Sequence, residues 1–417
     1  MAKMNWKQKA WRAAALTVLL GIVPGPAATA GGTAGPASFV DPTAELPQSG
    51  NVELSDRVYV APFVRLSAKD GHVIRIGNRA NVQDNALLDA AEHDIVLGDR
   101  AIVAHGAQVR STRPAMIAVQ TQRPEYSNPG IQALESYMTA HPGELHWGAV
   151  PAFIGFNAAV DGAVISDGSM VMHLAKVSPG VTLRSGVKVK EGKWLRTQEE
   201  ADNPTLGKVE YIGTGDIEFM TDVVEVNTQL AAGYAQLAWE HASFVRGINY
   251  NPGRIPGNEQ RTLPAVGGVR TQQPDTGPYR FRIIGNVQIA DLAGVRDGVS
   301  LRADEGPLIR IGAHGRFLGG NTFHALKSTR IYAGRGVVLE PGALVHGGRG
   351  PHLKGETWTE IGDETVIGAG AVVFRSKLGK GVRVGARSLV MDSVLPDGTV
   401  VPEGEIWIEG RRKYSAE

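Results

Sequence analysis

Aliphatic residues recur at every sixth position over long stretches of this chain. Ile76, Val82 and Leu88 are followed by Leu97, Val103 and Val109, then later by Ile165, Val171, Val177, Leu183 and Val189. A fixed short period marks a solenoid, in which each repeat buries its apolar face against its neighbours. Six residues per side predicts triangular coils of parallel β-helix. Each side is a short strand with one inward aliphatic, and Gly, Asn or Asp form the corners, as in Ile76-Gly77-Asn78 and Leu97-Gly98-Asp99. The period returns at Ile311, Phe317 and Phe323, at Ile361, Ile367 and Val373, and after a one-residue slip at Leu378, Val384 and Val390. The 417 residues suffice for two such domains.

The interruptions divide the chain. Residues 1–30 carry Lys3, Lys7, Lys9 and Arg12, an apolar run from Ala13 to Val23, and Ala28-Thr29-Ala30, the layout of a secretory signal peptide cleaved after Ala30. The run is shorter than the roughly 20 residues that a bilayer-spanning helix takes. This predicts a periplasmic or secreted protein with no transmembrane span. Residues 31–48 read as a mobile leader and 49–247 as the first β-helix. Within it, Pro114, Pro124, Pro129 and Pro142 punctuate a non-periodic insertion over 111–148. Val223, Val226, Leu230, Tyr234 and Leu237 fall at helical spacing and predict a C-terminal helix over 220–246 that packs on a face of the prism. Residues 248–277 are rich in Pro, Gly, Asn and Gln and read as a linker, and 278–417 as the second, shorter β-helix.

Composition narrows the chemistry. The net charge is +1 and no basic block stands out, which gives no reason to expect a nucleic-acid partner. There is no cysteine, so any metal must sit on nitrogen or oxygen ligands.

The motif residues then resemble the γ-class carbonic anhydrases. That family's pattern runs Arg-x-Asp-Glu-Gly, Asn-Val-Gln-Asp, His-Ala-Leu, then Ala-His with a second His five residues on. The first half carries Asn81-Val82-Gln83-Asp84 and Ala104-His105, with Val226 to Tyr234 resembling the family's C-terminal helix. The second half carries Arg302 to Gly306, His324-Ala325-Leu326 and Val345-His346-Gly347. The resemblance spans roughly 51–247 and 279–407. It implies an all-β solenoid of two tandem left-handed parallel β-helices, the first followed by a long α-helix.

The family is trimeric, with each metal held by two histidines of one subunit and one of its neighbour. Carried over by position, the paired ligands are His324 and His346 and the neighbour-type ligand is His105. Each half lacks what the other keeps: Pro341 stands where the second half would need its own neighbour-type ligand. Asp89 stands in the first half where His324 stands in the second, and Arg110, or Gly155, where His346 stands. The carboxylate near the metal's water is Glu305, against Asp70 in the first half. The supporting amides Asn81 and Gln83, and the helix Asn227, occur in the first half alone.

One composite site between the two domains follows, holding Zn²⁺ or Fe²⁺. Three neutral imidazoles leave a zinc position open to water, and the dication lowers the pKa of that water to about 7, giving hydroxide to attack CO₂. The resemblance implies that Glu305 accepts the proton, Gln83 orients the hydroxide and Asn227 holds CO₂ or bicarbonate. Lys327 follows His324-Ala325-Leu326, where members of the family with a long acidic loop have a shuttle glutamate, which leaves proton export open.

Two rivals stand beside this reading. One is a catalytically inactive structural or assembly subunit, and the other a hexapeptide acyltransferase on the same fold. The chain is expected to form a homo-oligomer, or to assemble with another γ-carbonic-anhydrase-like chain, because two domains cannot close a ring of three. His72, His93, His141, His146, His173, His314 and His352 read as surface residues, and Glu305 as a possible partner of Arg302.

Overall fold

In the computed structural model the described residues are 37–47, 51–69, 71–119, 122–240, 280–305, 308–326, 329–348 and 358–417. The signal-peptide and linker readings, and those on Asp70, Gly306, Lys327 and His352, lie outside these residues. Residues 31–36 and 48 of the leader and the 241–246 end of the helix do so too, while Phe39–Val40 of the leader is a strand paired with Tyr59–Val60.

Each half is a left-handed parallel β-helix with three sheets as its sides. The sheets hold eight, six and six strands in the first half, and eight, six and five in the second. Pairing runs from one coil to the next rather than between chain neighbours: Asn81–Val82 pairs with Ala101–Val103, which pairs with Ala152–Ile154. The inward residues are those of the six-residue series. Val82, Val103, Ile154 and Val171 are buried in the first half's core, and Phe323, Val345, Val373 and Val390 in the second's. Such a coil has room for one aliphatic per side, which is why the period is legible.

The insertion begins later than the lost period suggests. Ala115–Ile117 is a strand paired with both Ile95–Leu97 and Val164–Ile165, so the coil continues through Ile117. Its Met116 faces outward and its inward Ile117 sits off the six-residue count, which hides it. Beyond it, α1 spans Pro129–Ala140, capped by the Asn128 side chain on the Ile131 N–H, with Pro at the start of the helix.

After the short α2 (Gln198–Asp202) comes α3 (Thr214–Glu240), which starts six residues before the expected 220. Its buried face runs through Ile217, Met220, Val224, Leu230, Ala231 and Tyr234. Of the expected stripe, Val226, Leu230 and Tyr234 are buried and Val223 is only half buried, with Val224 buried beside it. No helix of the described residues is long and apolar enough to cross a membrane.

The two eight-stranded sheets face each other. Ile102, Phe153, Phe156, Met170 and Leu174 of the first half share one buried apolar cluster with Leu344, Val372, Phe374, Leu389, Met391 and Ile406 of the second. Polar contacts frame it. Asn157 Nδ2 donates to the carbonyls of Gly342 (3.1 Å) and Gly370 (2.9 Å), and Asn85 Nδ2 to Thr322 Oγ1 (3.1 Å). Asp41 and Asp84 pair across the interface with the buried guanidiniums of Arg282 (3.1 Å) and Arg302 (2.6 Å).

Candidate metal centre

Strand register sets the site. On the second half's docking sheet His324 is the direct partner of His346 one coil on, and Arg302 is the partner of His324 one coil back. Each follows an inward residue (Leu301, Phe323 or Val345), so alternation turns all three outward, toward the first half. On the first half's docking sheet, Asn81 and Val82 pair with Ile102 and Val103, which aligns Asp84 with His105 at the next corner. The positions equivalent to His324 and His346 in the first half are Asp89 and Arg110, partners on a different sheet, which resolves the Arg110 or Gly155 alternative in favour of Arg110.

Three ring nitrogens converge across the interface. His105 Nε2 lies 3.1 Å from His324 Nδ1, which lies 3.2 Å from His346 Nε2. All three ligand atoms fall within 4.8 Å of one another, and all three residues are buried. Metal–nitrogen bonds of about 2.0–2.1 Å at tetrahedral angles place nitrogens about 3.3 Å apart, so the spacing fits a single ion. The rings are splayed, with interplanar angles of 78° between His105 and His324 and 85° between His324 and His346, as needed for lone pairs to meet at one point.

The outward nitrogens face oxygens. His346 Nδ1 lies 2.7 Å from the Gly347 carbonyl, His105 Nδ1 3.0 Å from Asp84 Oδ2, and His324 Nε2 3.1 Å from Glu305 Oε1. The two carboxylate contacts are bent away from the ring N–H direction, so neither nitrogen has a well-aligned hydrogen bond. An acceptor on each outer nitrogen assigns the proton there and frees the inner lone pair for a metal.

Electrostatics favour neutral imidazoles at His105 and His346. Burial pushes His105 down to about 4 against the opposing pull of Asp84. Burial, with His324 and His105 alongside, holds His346 well below the usual range. Neutral rings are the form that binds a cation. Burial alone would raise Asp84, but Arg302 and then His105 override it and hold its carboxyl far below the usual carboxylate range.

The remaining expected site residues are placed less directly. Gln83 Nε2 donates to Asn81 Oδ1 (3.1 Å), leaving the buried Asn81 Nδ2 without a partner. Asn227 spends its Nδ2 on the Val223 carbonyl inside α3 (2.9 Å), and no hydrogen bond described for it reaches the histidines. Arg302 pairs with Asp84 and Asp304 rather than with Glu305.

His173 is a correction. It is buried, its Nδ1 accepts the Phe156 N–H (3.1 Å), and its ring stacks on Phe156 at 4.4 Å. Phe156 in turn stacks on His346 at 4.8 Å, with Phe374 edge-on to the same imidazole. Reading the sequence alone missed this aromatic wall, because Phe156 and His173 sit at corners, outside the six-residue series.

Comparison with known proteins adds partial relatives. No family model matches the chain. A carbonic anhydrase of Methanosarcina thermophila is 28% identical over 178 residues, covering 38% of this chain and 66% of that protein. A carboxysome assembly protein, CcmM, of Nostoc sp. is 31% identical over 134 residues, covering 30% of this chain and 22% of that protein. The chain is similar to γ-carbonic-anhydrase-like proteins over 30–38% of its length.

It spans less than two thirds of these relatives' lengths. Among solved structures, a putative acetyltransferase from Bacillus cereus is 16% identical at a TM-score of 0.19, covering 48% of this chain and 91% of that one. A UDP-N-acetylglucosamine acyltransferase from Campylobacter jejuni is 10% identical at 0.14, covering 90% and 73%. Overlaps this low leave the fold resting on the strand pairing. The likeness to γ-carbonic-anhydrase-like proteins is one of sequence and architecture, and the chain itself carries a metal-capable histidine triad.

Proposed function

We propose that this γ-carbonic-anhydrase-like chain binds one Zn²⁺ or Fe²⁺ at His105, His324 and His346 and catalyses reversible hydration of CO₂ to bicarbonate. The observation that supports it is the meeting of three imidazole nitrogens from two domains, each with an oxygen behind its other nitrogen. A dication bound there supplies Lewis acidity, which makes hydroxide available from water near neutral pH. The chain's own residues do the rest. Asp84, Glu305 and the Gly347 carbonyl hold the three tautomers, and Phe156 and Phe374 keep water from the His346 side. Gln83 orients Asn81, whose unspent Nδ2 offers a hydrogen bond to an oxygen of CO₂ or bicarbonate.

In this reading the chain is exported and cleaved after Ala30, which intact mass of the mature protein checks. It works as a homo-oligomer or beside another γ-carbonic-anhydrase-like chain. The deciding experiment is metal content of anaerobically purified protein together with CO₂ hydration by stopped flow. About one metal per chain, with activity lost on chelation and regained on adding zinc, is the expected result, and absence of metal sinks the reading.

A second reading has its own observation. Asn227 is bonded within its helix and Glu305 faces His324, so two residues expected at the reaction are otherwise engaged. An inactive assembly subunit would carry metal and show no hydration.

A further inference from the structure

We infer that Glu305 is a positioning residue, acting through His324 to fix which ring nitrogen faces the metal, rather than the group that takes the proton from the reaction. The inference rests on the metal-site reading above and deepens it.

The geometry carries the argument. His324 Nδ1 is the nitrogen common to both short contacts of the triad, 3.1 Å from His105 Nε2 and 3.2 Å from His346 Nε2. To offer a lone pair there, the neutral ring must carry its proton on Nε2. That N–H points away from the convergence point and needs an acceptor, since a buried donor left unpaired loses its water without replacement. His105 and His346 have acceptors in Asp84 and Gly347. For His324 two carboxylates are in range. Glu305 Oε1 is 3.1 Å from Nε2 and Asp304 Oδ1 is 3.8 Å away.

Asp304 is the weaker candidate. Its Oδ2 already accepts from Arg302 Nη2 (2.9 Å) and from the Tyr234 hydroxyl (2.9 Å), which fixes the carboxylate in the docking network. Glu305 carries no such load, and its Oε2 is buried without a partner among the described residues. The fold explains its location. The strand Val299–Ala303 ends one coil before His324, and the corner that follows turns Glu305 back against the ring. Glu305 Oε1 thus stands by Nε2, the nitrogen on the side of the imidazole away from the point where the three nitrogens meet, in a contact still bent from the N–H direction. A proton acceptor for the reaction would have to stand on the near side.

The two roles separate in one pair of variants, because an amide oxygen accepts a hydrogen bond but an amide does not take a proton. Zinc affinity is measured by competition with a chromogenic chelator for the wild-type mature chain, Glu305→Gln and Glu305→Ala, and the absorption spectrum of each Co²⁺-loaded form is recorded. The expected result is a loss of about 10–100-fold in affinity for Glu305→Ala, with a changed Co²⁺ spectrum, and recovery to within about threefold of wild type for Glu305→Gln.

Equal affinities and spectra in all three proteins overturn the inference while leaving the metal site standing. Glu305→Gln as weak as Glu305→Ala overturns it as well, since charge rather than an acceptor would then be what His324 needs. A wild-type chain that binds no zinc removes the metal-site reading, and this inference with it.

Discussion

At the scale of single residues, the three histidines are unequal in origin but equal in consequence. His105→Ala, His324→Ala and His346→Ala each remove one of three nitrogens. Each variant is expected to lose stoichiometric metal on dialysis, measured by metal analysis, although His105 lies more than two hundred residues from the other two. His173 gives a separate, pH-dependent prediction. Burial pushes its pKa down to about 3 from the usual value near 6.5, and its Nδ1 accepts a backbone N–H that protonation would abolish. The folded state therefore binds fewer protons than the unfolded chain between those values, and stability falls as pH drops from about 6.5 toward 3. The loss by pH 4 is on the order of 3 kcal/mol for a shift of this size. Urea melts at pH 7 and pH 4 are expected to show a smaller difference in His173→Asn than in the wild type.

At the scale of elements, coils and helices hold together by different means. The coils are stacked by backbone pairing and one aliphatic per side, so no single strand dominates. Helix α1 instead leans on a close approach. A Cβ on Gly130 would stand 1.9 Å from the Gly186 carbonyl oxygen, which belongs to the rigid coil backbone. Gly130→Ala is thus expected to lift the first turn of α1 and uncover Leu134 and Tyr137, which pack with Ile217 and Met220 of α3. Faster amide hydrogen exchange over Pro129–Ala140, with the coil strands unchanged, is the expected readout. Helix α3 was legible in outline because its stripe has period 3.6. Its first turns were not, because Ile217 and Met220 stand apart from the aliphatic run that marks the rest.

At the scale of the whole molecule, docking of the two β-helices decides whether a site exists. The interface is apolar at its centre and carries Arg302 in full burial between Asp84 and Asp304. Removing one member of a buried ionic set leaves the others unpaired, so Arg302→Met is expected to destabilise the chain by about 3–5 kcal/mol in chemical melts. A metal shared by the two halves binds the docked chain in preference to the unfolded one. Zinc in excess is therefore expected to raise the melting temperature of the wild type and to leave that of His105→Ala unchanged.

The sequence by itself determined the β-helix and the number of its copies, because an inward position that admits one aliphatic per side writes its period directly into the chain. It also named the three histidines, through a motif resemblance that each half satisfies only in part. Tertiary structure alone decided that His105 meets His324 and His346, that Glu305 turns toward a ligand's far nitrogen, and that Phe156 and His173 wall the site. Those relations depend on how two prisms face each other and on side chains at their corners, and neither obeys a period along the chain.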